Sequence, residues 1–109
     1  MTLTRNIVLG LLLAVFVAFC NHQVRADAID GEWCRAGKRI VINGPNIITP
    51  GGTRMIGNYD RHGFDYVVPP GEPGAGQNVV MNLWGEELMK LTQGDGPTED
   101  WTRCPPATS

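Results

Sequence analysis

A histidine near neutral pH gives or takes a proton, and a carboxylate beside it orients the ring. Those types meet in Asn58-Tyr59-Asp60-Arg61-His62-Gly63-Phe64-Asp65-Tyr66, where Asp60 and Asp65 flank His62. The spacing is that of a hairpin tip, so Asp60, Arg61 and His62 are expected as turn residues facing solvent, not as a preformed acid–base site. Glu86 and Glu87 look like the carboxylate pair of a hydrolase, yet they follow Gly85 in a tight turn with no neighbour to keep one of them protonated. Serine chemistry is excluded, since beyond residue 28 the only serine is Ser109. The glycines of Pro-Pro-Gly-Glu-Pro-Gly-Ala-Gly (69–76) invite comparison with a phosphate loop. Such a loop joins a strand to a helix and carries Lys with Ser or Thr; three prolines and Glu72 stand here instead. Cys34, Cys104 and His62 fall short of the four ligands of a structural zinc site. The chain therefore reads as non-enzymatic, with no cofactor and no metal.

The elements that carry these residues begin with an address. Arg5 precedes an apolar run, Ile7 to Cys20, followed by the polar Asn-His-Gln-Val-Arg-Ala-Asp-Ala. The run is shorter than the about 20 residues of a membrane-spanning helix, so residues 1–28 are expected to be a secretory signal that is removed. Ala26 and Ala28 fit cleavage after Ala28, and Val24 with Ala26 fits cleavage after Ala26. A lipoprotein signal needs a small residue before its cysteine, and Cys20 follows the bulky Phe19, so Cys20 is expected to leave with the signal. The destination is the periplasm or the medium.

Residues 29–109 then form one domain, a size that often needs a covalent staple. Cys34 and Cys104 are its only cysteines, an even pair in an oxidising compartment, and a disulfide between them is expected. It requires Cα atoms within about 7 Å, so the first and last elements must lie side by side. Seven basic residues against ten acidic ones give about −3, with no clustered basic face for nucleic acid.

Turn signals at Gly44-Pro45, Pro50-Gly51-Gly52, Arg61-His62-Gly63, 69–76, Gly85 and Gly94-Asp95-Gly96-Pro97 separate short runs of branched and aromatic residues. They predict eight strands, over 31–35, 38–43, 46–49, 53–59, 63–68, 78–84, 87–92 and 98–104. Period-two alternation assigns Ile40, Ile42, Met55, Tyr59, Phe64, Tyr66, Val68, Val79, Met81, Leu83, Met89 and Leu91 to the inner face. Gly57, inside the fourth run, suits a barrel corner. The expected fold is all-β: a small antiparallel up-and-down barrel, with a two-sheet sandwich as the alternative.

Gly31 and Trp33 on the first strand, with Arg103 on the last, resemble the calycin pattern of lipocalins, avidins and their small bacterial relatives. That resemblance implies a tryptophan capping one end of the core and an arginine packed across it. The chain also resembles small exported barrel proteins of Gram-negative bacteria that inhibit metalloproteases or lysozymes. The run 49–76 followed by Trp-Thr-Arg-Cys further resembles small secreted bacterial proteins that have no assigned function.

The function expected from these features is binding by a monomer, with a protein of the cell envelope or the medium as partner. Inhibition of a secreted hydrolase and carriage of a small apolar ligand are the alternatives. The contact residues expected are Pro70, Glu72 and Pro73 on the longest loop, Trp84, and His62. Trp84 is out of phase with Leu83, so it serves either as an exposed anchor or as the cover of a second small core.

Overall fold

The computed structural model describes residues 28–106, so nearly all of the expected signal segment lies outside the described residues. Nine strands follow one another in the described chain: β1 (Gly31–Arg35), β2 (Lys38–Asn43), β3 (Asn46–Ile48), β4 (Arg54–Ile56), β5 (Asn58–Asp60), β6 (Gly63–Val67), β7 (Asn78–Leu83), β8 (Leu88–Gln93) and β9 (Thr98–Arg103). They form one antiparallel sheet in the order β4-β3-β2-β1-β9-β8-β7-β6-β5, a nearly closed up-and-down barrel. The lower end is taken here as the one where β1 begins and β9 ends.

The interior follows from alternation. Ile40, Ile42, Phe64, Tyr66, Val68, Val79, Met81, Met89 and Leu91 are buried as their phase predicts. Ile29, Trp33, Ile47 and Trp101 complete the same cluster, with Met55 and Leu83 packed against it. Burying each such side chain contributes about 1.5–3 kcal/mol, and an eight-stranded barrel is just wide enough for side chains to fill it.

Two junctions close the sheet. At the first, β1 pairs with β9, setting Trp33 opposite Arg103 and Cys34 opposite Thr102. The Cys104 N–H, directly after β9, donates to the Glu32 carbonyl (3.0 Å). Cys34 and Cys104 are thereby cross-strand neighbours, and they form a disulfide with Cα atoms 4.9 Å apart across 70 residues. Closing a loop of that length in the unfolded chain is worth about 4 kcal/mol.

The second junction lies within the run 53–59, expected as one strand. The run divides at Gly57 because its halves pair differently: β4 with β3, and β5 with β6. The Gly57 N–H donates to the Pro45 carbonyl (2.9 Å). A Cβ on Gly57 would stand 2.5 Å from the Phe64 ring and 2.7 Å from the Asp65 carbonyl oxygen, so only glycine brings the corner this close to β6. Tyr59, expected inside, is 38% exposed. Beyond the corner it lies at the lower rim, its ring edge-on to Phe64 with centroids 6.5 Å apart.

No backbone ladder joins β4 to β6 in the described sheet, and two carboxylates stitch the seam from its ends. At the lower end Asp30 accepts the Gly44 N–H (2.8 Å) and the Tyr59 hydroxyl, linking the β2–β3 turn to β5. At the upper end Glu72 accepts the hydroxyls of Thr49 (2.6 Å) and Thr53 (2.5 Å), linking the β6–β7 loop to the β3–β4 turn.

If the corner requires glycine, Gly57→Ala destabilises the protein by about 1–3 kcal/mol through overpacking. Gly63→Ala, whose Cβ would meet the Met81 carbonyl at 3.3 Å, costs less. Denaturant midpoints of the two variants measure the difference, and equal costs would refute the close approach at Gly57.

Candidate functional site

The β1–β9 register carries Trp33 and Arg103 to the same inner position at the lower end. The guanidinium carbon lies 4.0 Å from the Trp33 ring centroid, a stack that suits a planar cation. Gly31 has φ +122°, and a Cβ there would meet Arg103 Nη1 at 2.6 Å, so the glycine two residues before the tryptophan makes room for the arginine. Arg103 donates from Nε to the Glu86 carbonyl (2.9 Å), from Nη2 to Ala28 (2.8 Å) and from Nη1 to Asp30 (2.5 Å). Trp33 Nε1 donates to the Ile29 carbonyl (2.8 Å). Residues 28–30 are thus drawn across the lower end, with Ile29 buried beneath them. Burial lowers the Arg103 pKa from its ordinary value, opposed by the charges of Glu87 and Asp30. An arginine held by three carbonyls over a ring is a structural cap that ties β1, β9 and the β7–β8 turn together.

His62 and its flanking acids lie on the β5–β6 turn. Asp60 Oδ1 accepts the backbone N–H of His62 (2.9 Å), and Asp65 accepts the Asn58 side-chain amide (2.8 Å). Both carboxylates are engaged in local turn and cross-strand bonds, and His62 itself is exposed, as the hairpin reading predicts. Among the described residues no group of three or more His, Cys, Asp or Glu is placed to hold a metal.

The loop 69–77 folds back on itself. Gly76 N–H donates to the Val68 carbonyl and Val68 N–H to Gln77 (both 2.9 Å), and Gln93 reaches across to the Pro73 carbonyl (3.1 Å). The Glu72 carboxyl is raised by burial but lowered more by the Thr49 and Thr53 hydroxyls and the amides of Gly51 and Thr53, so its pKa ends below the ordinary value. Under this loop the upper mouth keeps a hollow of about 240 Å³, with Tyr66, Val79, Leu91 and Trp101 among its walls and Lys38 and Glu99 at its edge. Burial, then the charge of Glu72, pushes the Tyr66 hydroxyl up to about 12.

The contact residues expected from sequence do not converge. Pro70, Glu72 and Pro73 lie at the upper end, with the two prolines exposed and Glu72 half-buried and engaged in the seam. Trp84 and His62 lie toward the lower end, where the Leu83 N–H bonds the His62 carbonyl (2.8 Å). Trp84 is 65% exposed, with Lys90 Nζ 5.2 Å from its ring centroid, so of its two readings the exposed one holds. Sequence reasoning missed Ile56, Val67 and Val80, which are 71%, 51% and 45% exposed. Their only signal was being out of phase with the inner face.

No family model, curated protein or solved structure matches the chain.

Because the folded pKa of Glu72 is depressed, its stabilisation is full above the unfolded value of about 4.3 and is lost as pH falls through the folded value. Glu72→Gln should therefore lower the melting temperature at pH 7, and the gap from wild type should close on acidification below about pH 4. Thermal melts of both proteins across pH measure this. A gap that is constant with pH would show that the charge of Glu72 contributes nothing to the seam.

Proposed function

We propose that this chain is an exported, non-enzymatic binding module whose partner is a protein of the cell envelope or the medium. The observation that carries the reading is a barrel filled by its own side chains that still leaves Ile56, Val67, Val80 and Trp84 standing in solvent. Exposed apolar side chains on a rigid scaffold are the material of protein interfaces. The hollow at the upper mouth, about 240 Å³, is below the roughly 300–1,000 Å³ of ordinary ligand sites, which supports a protein partner over a small apolar cargo. Inhibition of a secreted hydrolase is the special case in which that partner is an enzyme.

The disulfide supports residence in an oxidising compartment. The bond from Arg103 to the Ala28 carbonyl supports removal of the signal after Ala26, which keeps Ala28, over removal after Ala28.

A native mass spectrum of the protein taken from its own host tests the reading. The expected species is an oxidised chain beginning at Asp27, accompanied by a protein that leaves on denaturation. A small-molecule companion instead would turn the reading to a carrier, free thiols would contradict export, and a chain beginning at Ile29 would contradict cleavage after Ala26.

A further inference from the structure

The exposed apolar residues are not scattered. Apart from Trp84, the large apolar side chains most exposed in the described chain are Ile56, Tyr59, Val67 and Val80, all on β4 to β7. Pairing sets Val41 opposite Ile48, and Ile48 opposite Arg54, on the outer face of β2, β3 and β4. Val67 and Val80 face outward from β6 and β7, with Val80 opposite Asp65. Gly57 packs on Phe64 and the Asp65 carbonyl, so the residue before it, Ile56, emerges at the seam beside β6. Closure of the barrel therefore assembles one belt, Val41, Ile48, Ile56, Val67 and Val80, from two ends of the sheet. A shallow open cleft of about 470 Å³ lies on its β2–β4 half.

Charge distinguishes this side from its opposite. Around β1 and β9 the surface cations are paired: Arg39 with Glu32 (2.7 Å), Lys90 with Asp100 (2.8 Å) and Arg35 with Glu99 (3.7 Å). Arg54, in the belt, is paired with no described carboxylate. A partner that covered the belt with apolar atoms alone would bury that guanidinium without a counter-charge, which is strongly unfavourable. A partner that brings an acid gains a charge-assisted bond at the same place.

We propose that the belt is the docking surface for the protein partner, and that the segment it receives carries a carboxylate, set on Arg54, between apolar side chains. The proposal rests on the protein-binding reading and adds its site and chemistry. A second copy of this chain fits less well, because the acid nearest the belt, Asp65, already accepts the Asn58 amide.

The test is photo-crosslinking of the full chain in its own host, with a photoreactive phenylalanine analogue placed singly at Val67, Val80, Trp84, Pro70, Glu32 or Thr102. Adducts should form from Val67 and Val80 and not from Glu32 or Thr102, and the crosslinked partner peptide should contain Asp or Glu. Arg54→Glu should cut adduct yield by about tenfold in a protein whose circular dichroism and melting temperature are unchanged. Adducts only from Trp84 or Pro70 would overturn the belt while leaving a protein partner in place. An adduct of twice the chain mass would overturn the acidic partner in favour of self-association. Adducts from Val67 and Val80 that are indifferent to Arg54→Glu would overturn the charge match, and no adduct from any position would overturn the belt and the protein-binding reading together.

Discussion

A sheet whose two outermost strands are consecutive in the chain closes only if the peptide between them turns the corner, and here that peptide is Gly57. Its amide stays bonded to Pro45 on the β3 side while its Cα lies against Phe64 and Asp65 on the β6 side. A side chain would fill the space through which the two edges approach. Because the ladder stops at this point, the rest of the seam depends on side chains, and the fold places a carboxylate at each end of it. Asp30 and Glu72 are far apart in sequence and alike in task, each accepting bonds from the turn and strand it must hold together.

The other junction is closed in a different way. β1 and β9 pair by backbone, and side chains add to that pairing on both faces: the disulfide at Cys34, and Arg103 stacked on Trp33 inside. The stack then recruits residues 28–30, whose carbonyls satisfy the guanidinium and the indole, so the lower end is covered by the chain's own approach to β1. Desolvating an arginine is costly unless its donors are met, and carbonyls meet them without adding a second buried charge. This arrangement leaves the interior filled and directs attention to the outside of the barrel.

Much of this was legible in the sequence, where the physics is local. Alternation placed Ile40, Ile42, Phe64, Tyr66, Val79, Met81, Met89 and Leu91 inside because each strand has one wet and one dry face, and cysteine parity gave the disulfide. Tyr59 failed because alternation assumes a straight strand, and the corner at Gly57 turns it to the rim. Ile29 and Trp101 were not assigned to the core: the first lies outside any strand, and the second stands in the polar-looking run Thr98–Arg103. The belt was the least legible part. A lone Ile56 or Val67 on a strand's outer face is ordinary, and only closure of the barrel sets Ile56, Val67 and Val80 side by side.

The most direct test of closure through Gly57 is hydrogen exchange, residue by residue, on the oxidised protein. A closed seam predicts that the Gly57 amide, held by Pro45, exchanges as slowly as the amides of the β7–β8 ladder, which open only when the domain unfolds. Exchange of Gly57 at the rate of an unstructured peptide, with β7 and β8 still protected, would mean that the sheet is open at this corner and that the belt does not exist as one surface.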